Sequence, residues 1–150
     1  DKPLKPPGDV YANSPNGKCS AYSDPRTNRI EVGSITHQTS NDIVKTLLHP
    51  LWTMPGWARD MYLSNDCHFL VIIYDGKNLL RMNDRKLETI VFYIVKDGKE
   101  IKQVTLGEIY KNLDVLIETQ SHFLWYEDIK WDGEKLEITT VDKRNITIGL

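Results

Sequence analysis

The chain has 150 residues, 40% of them hydrophobic and 27% charged, with 19 basic and 21 acidic side chains and a net charge of −2. That length and balance describe one ordinary globular domain with a core of its own, and they argue against a disordered chain or a basic nucleic-acid binder. The longest apolar runs, Phe69–Tyr74 and Ile90–Val95, fall far short of the roughly 18 residues that span a bilayer, so no membrane span is expected.

Residues 1–12 carry three prolines and read as an extended arm, the exposed end of a trimmed chain left by removal of an export signal or by cloning. Residues 13–150 read as a single all-β domain. Cys19–Ser23, Arg29–Ile35 and Lys45–Trp52 are short segments of moderate β character, and Met54-Pro-Gly-Trp57 is a turn. Arg59–Ser64 and His68–Tyr74 flank Asn65-Asp66 as a hairpin. The run Phe69–Tyr74 is apolar at successive positions, which predicts a central strand covered on both faces. Asp75-Gly76 is a turn and 77–86 a loop. Glu88–Val95 and Glu100–Thr105 close over Asp97-Gly98, the strongest hairpin signal in the chain. Thr105 as N-cap with Glu108 three residues on predicts a short helix within 106–112. Ser121–Trp131, Lys135–Thr140 and Asn145–Ile148 form a final meander, turned at Asp132-Gly133 and Asp142-Lys143-Arg144. Short strands at such spacing predict a sandwich, a barrel or a propeller-like fold.

Three segments are alike: Ser14-Pro-Asn-Gly-Lys-Cys19, Ser64-Asn-Asp-Cys-His-Phe69 and Trp131-Asp-Gly-Glu-Lys135. Each is a polar turn leading into a strand. The first resembles the Ser-Pro-Asp-Gly-Lys turn of β-propeller blades. The second has Cys67 where that turn has glycine, which puts its turn type in question. Asp-Gly turns also occur in any β protein. If the repeat is structural, Cys19 and Cys67 begin equivalent strands of neighbouring units, and a disulfide between them is expected. An even cysteine count reads the same way in an exported chain, and as two buried thiols in a cytosolic one. An open or small propeller clamped by that bond is the favoured architecture, with a sandwich as the alternative.

Beyond the repeat, Trp57, the Asn65-Asp66 turn, Tyr74-Asp-Gly-Lys-Asn-Leu-Leu80, Thr105-Leu-Gly-Glu108 and Thr119-Gln-Ser-His-Phe-Leu-Trp125 resemble, in their order, features of small exported bacterial proteins over about residues 13–140. Some of that class are periplasmic immunity proteins that neutralise peptidoglycan-cutting amidase toxins of type VI secretion. The resemblance implies a periplasmic or secreted chain whose partner is a cell-wall amidase effector.

The chemistry-bearing residues give no catalytic pattern. His37, His49, His68 and His122 form no zinc-protease motif. His68 adjoins Cys67, but neighbours on a strand point to opposite faces. Ser121 and His122 lack the glycine-flanked elbow of a hydrolase serine. The carboxylates are scattered, Glu127-Asp128 and Asp84 included, and Asp75–Asn78 falls short of a calcium loop. No catalytic residue, metal or cofactor is therefore expected. Trp52, Trp57, Trp125 and Trp131 read either as core or as a partly exposed aromatic patch. Asn145-Ile-Thr147 fits a glycosylation sequon, relevant only in a eukaryotic secreted protein. The expected partner contacts are Gln120, Ser121 and His122, with Trp125 beside them. A hydrolase with an unrecognised site and a carbohydrate- or envelope-binding module are the competing readings.

Overall fold

The computed structural model describes residues 8–73, 80–120 and 122–150. Its strands, in chain order, are β1 (Val10–Asn13), β2 (Cys19–Asp24), β3 (Arg29–Ser40), β4 (Ile43–Pro55), β5 (Asp60–Leu63), β6 (Phe69–Ile73) and β7 (Leu80–Arg81). There follow β8 (Ile90–Lys96), β9 (Lys99–Thr105), the one-turn helix α1 (Leu106–Ile109), β10 (Ile117–Glu118), β11 (His122–Leu124), β12 (Asp128–Trp131), β13 (Lys135–Thr139) and β14 (Asn145–Gly149). All strand pairs are antiparallel, in four sheets of order β1-β2-β3-β4, β5-β6-β8-β9, β10-β11-β7 and β12-β13-β14. The fold is all-β, as its β-branched and aromatic runs dictate. Among the described residues no helix is long and apolar enough to cross a membrane.

The sheets pack face to face, and β6 shows how. Leu70 and Ile72 point into one core with Cys19, Ala21, Ile30 and Val32 of the first sheet. Val71 and Ile73 point into a second core with Phe92, Trp125, Leu136 and Ile138. The two-residue period of a strand sends alternate side chains to opposite faces, so an unbroken apolar run belongs between two layers. Leu70, Ile72 and Ile73 are at most 1% exposed, each contributing about 1.5–3 kcal/mol of burial. On the far side of the β12-β13-β14 sheet, Asp128, Lys130, Lys135, Glu137, Asn145 and Thr147 are exposed, giving that end a polar surface.

The repeated turns prove structurally equivalent in their first two copies. Ser14 Oγ accepts from Cys19 N at 3.0 Å, Asn16 Oδ1 accepts from Lys18 N at 3.0 Å, and Gly17 N donates to Ser14 O at 2.9 Å. Ser64 Oγ accepts from Phe69 N at 2.9 Å, Asp66 Oδ1 from His68 N at 2.9 Å, and Cys67 N donates to Ser64 O at 3.1 Å. Gly17 has φ +73° and Cys67 φ +69°, so the cysteine takes the glycine conformation and the turn type does not change. The Trp131–Lys135 turn occupies the matching place between β12 and β13 but is tighter, with Asp132 Oδ1 accepting from Glu134 N and Lys135 N at 2.8 and 2.7 Å. The serine-type pattern reappears instead at Thr140–Arg144, where Thr140 Oγ1 accepts from Arg144 N at 2.8 Å and Lys143 has φ +69°.

Several boundaries differ from the sequence reading. The arm ends sooner than residue 12, because Val10–Asn13 pairs with Cys19–Asp24 as β1. Met54 and Pro55 are not in a turn but finish β4, paired with Ile30 and Arg29. The helix stops at Ile109, its start held by Glu108 Oε2 accepting from Thr105 N at 2.7 Å. The turn at Asp75-Gly76 and the calcium-like stretch 75–78 lie outside the described residues.

Candidate functional site

The largest departure from the sequence reading is an arm. Beyond Ile35 and Leu48, β3 and β4 pair only with each other, in register from Thr36–Leu47 to Ser40–Ile43. Asn41 and Asp42 both have positive φ, 52° and 64°. Two left-handed residues make the turn whose twist matches that of a strand pair, and Asn and Asp tolerate it. Threonine, valine and isoleucine on either side supply the β character. An isolated two-stranded ribbon is marginal in water, and side-chain bonds brace this one. His37 Nδ1 lies 3.2 Å from Thr46 Oγ1, and Thr36 Oγ1 lies 2.8 Å from His49 Nε2.

Its tip is apolar. Ile43 and Val44 adjoin the turn on opposite faces and are 69% and 64% exposed. Leu48 and Leu51, nearer the body, are also exposed. Leu51 is the extra residue of a bulge, since Val32 pairs with Trp52 and Gly33 with Pro50. A bulge bends its strand, and here it sets the elbow between arm and sheet. Trp52 anchors the elbow by donating its Nε1 proton to Cys67 O at 2.9 Å.

Gln120 is exposed, Ser121 lies outside the described residues, and His122 is half-buried on β11. Thr119 and His122 close on each other, Thr119 N donating to His122 O at 2.8 Å and His122 N to Thr119 Oγ1 at 3.2 Å. Trp125 is not a contact residue. It is 1% exposed, stacked with Phe92 and set edge-on to Tyr126, and its carbonyl accepts from the Tyr110 hydroxyl. A large ring flanked by Phe123 and Leu124 gains most by leaving water, and the core reading of the tryptophans holds for it. Trp131 packs on the same core and donates to Leu63 O at 2.9 Å.

Cys19 and Cys67 form the disulfide, their Cα atoms 5.4 Å apart. Neither thiol is therefore available as a nucleophile. His68 turns away from it to Asp97, its Nδ1 at 2.6 Å from Asp97 Oδ1, and that carboxylate raises its pKa. Glu127 pairs with Lys143, and Arg85 with Glu118 and Asp114, so these charges are surface ion pairs. Among the described residues no three His, Cys, Asp or Glu side chains gather as a metal set. Compared with protein-family models, with curated proteins and with solved structures, the chain matches none.

Proposed function

We propose that this chain is an exported protein that binds another protein, and that the β3–β4 arm is the inserted element. The observation that carries this reading is the tip, where Ile43 and Val44 stand in solvent at the end of a braced ribbon. Exposed apolar groups of this size gain free energy by entering a partner's cleft, and one or two such anchors dominate an interface. The disulfide supports an oxidising compartment. The matched turns that lead into β2 and β6 support a blade-like architecture, with the arm projecting from the first sheet.

The concrete form of the proposal is a periplasmic immunity protein whose partner is a cell-wall amidase toxin. A narrow ribbon with an apolar tip has the shape to fill a hydrolase cleft. The contacts expected from Gln120, Ser121 and His122 have a smaller part in this version, because the His122 backbone bonds back to Thr119.

The test is capture from the envelope fraction of the native organism, with the partner's activity on peptidoglycan assayed with and without this chain. An equimolar complex that silences the hydrolase, and that is lost in Ile43→Asp/Val44→Asp while the variant stays folded, supports the proposal. A complex unaffected by that variant removes the arm from the reading. The absence of any stable protein partner defeats it.

A further inference from the structure

The elbow holds a recess of about 240 Å³ on the outward face of the first sheet, walled by Tyr11, Tyr22, Glu31, Leu48 and Pro50 and floored by Gly33. We propose that this recess is a binding site for an alkyl-linked cation, the side chain of a lysine or arginine offered by the protein partner. The proposal deepens the protein-binding reading and rests on it.

The register builds the site. Tyr11 lies opposite Tyr22, and Tyr22 opposite Glu31, so the three side chains stand in one row across β1, β2 and β3. The two rings stack with centroids 4.6 Å apart and planes 17° from parallel. Tyr22 stands between Tyr11 and Glu31, so the ring face that it turns away from Tyr11 is the one nearest the carboxylate. The face of an aromatic ring is the negative side of its quadrupole and attracts a cation. Glu31 adds a full negative charge beside it. Among the described residues that carboxylate has no ion pair. The nearby cations are otherwise engaged: Arg29 donates to Thr53 Oγ1 at 2.7 Å, and Arg26 to Asp24 Oδ1 and the Tyr22 hydroxyl at 3.1 and 3.0 Å.

Gly33 keeps the recess open. A Cβ there would fall 2.7 Å from His49 O and 2.8 Å from Leu48 Cδ1. Leu48 and Pro50 offer hydrocarbon to a methylene stem, and Glu31 and Tyr22 offer charge and ring to its head. Lysine and arginine have that division along their length. An anion would meet Glu31 uncompensated.

The experiment is a ¹⁵N–¹H NMR titration of the whole chain with N-acetyl-lysine amide and N-acetyl-arginine amide. N-acetyl-norleucine amide, an uncharged chain of similar length, and methyl glucoside serve as comparisons. Saturable shifts confined to residues 20–22, 31–33 and 48–53 are expected from the two cations, in the millimolar range. Glu31→Gln, isosteric and on an exposed side chain, should weaken them about tenfold, and Tyr22→Leu similarly. Equal binding of the norleucine compound, saturation by the glucoside alone, indifference to Glu31→Gln, or no saturable shift would each overturn the assignment. Partner capture that succeeds while the titration fails sinks the recess and spares the arm. Cation binding without any captured protein sinks the partner reading and leaves a small-cation site.

Discussion

Asn16 and Asn65 hold each other through two hydrogen bonds, Asn16 N to Asn65 Oδ1 at 3.0 Å and Asn16 Nδ2 to Asn65 O at 3.1 Å. Asn65 then reaches the β12-β13-β14 sheet, its N donating to Gly133 O at 3.1 Å and its Nδ2 to Asp132 O at 3.3 Å. One amide thus ties together the leading turns of three sheets. Asn65→Ala removes the side-chain bonds to both neighbours and should lower stability by about 1–3 kcal/mol. Asn65→Asp keeps the acceptor and loses the donor, and should fall between. Urea unfolding midpoints at constant slope would rank the three chains; an Asn65→Ala midpoint equal to the native one would contradict the linkage.

Cys67 combines two opposing contributions. The disulfide closes a loop of 48 residues in sequence separation, worth about 4 kcal/mol by the loop-entropy relation. Its backbone, at φ +69°, sits where a side chain costs roughly 1–2 kcal/mol. Cys19→Ala/Cys67→Ala should therefore lose most of the disulfide contribution. Cys19→Ala/Cys67→Gly should be the more stable of the two reduced-type variants, since glycine meets the left-handed turn as Gly17 does. Thermal unfolding of both variants decides the order, and the reverse order would show that the turn relaxes.

Gly98 and Gly17 both have positive φ, +87° and +73°, but a Cβ at Gly98 would lie 2.7 Å from Thr53 O whereas one at Gly17 meets nothing within 4 Å. Gly17→Ala should cost only the conformational penalty, roughly 1–2 kcal/mol. Gly98→Ala should cost clearly more, because the Asp97-Gly98 turn is pressed against β4 backbone. Equal losses in chemical denaturation would mean that the first and second sheets separate at that contact without resistance.

Burial, together with the Asp60 and Asp128 carboxylates, pushes the Tyr62 phenol up to about 12. A phenol that keeps its proton longer in the native state costs stability as pH rises from its unfolded value near 10 through its folded value. Alkaline unfolding should therefore set in over that window. Tyr110 is raised as well, also by burial first, so Tyr62→Phe should reduce the alkaline loss without abolishing it. Denaturation curves at stepped pH, with phenolate absorbance followed in parallel, provide the check; an unchanged loss in Tyr62→Phe would assign it elsewhere.

The body of the fold was legible because its signals are local. Phe69–Ile73 showed by its unbroken apolar run that both faces are covered, and Asp97-Gly98 marked its hairpin through residues that accept positive φ. The disulfide followed from equivalent turns. The arm was not legible as a hairpin, since Asn41-Asp42 is a weaker turn signal than Asn-Gly and its strands alternate threonine, serine and glutamine without a buried face. Trp125 was misplaced as a contact for a related reason. Adjacency to a polar loop says nothing about which way a ring points once the chain crosses from β11 toward β12. The recess depends on register between β1, β2 and β3, and a bare sequence does not carry register.

Two of the four sheets, β1-β2-β3-β4 and β12-β13-β14, are meanders of successive strands; β5-β6-β8-β9 skips β7, which joins β10-β11-β7 instead. Each meander can close its own ladder through short loops before meeting its neighbour, which keeps the entropic cost of early pairing low. Assembly then becomes a matter of docking preformed layers in the order of synthesis. Cys67 reaches Cys19 only after the second layer has turned at Asn65, so thiol oxidation would report the moment at which the first two layers come together.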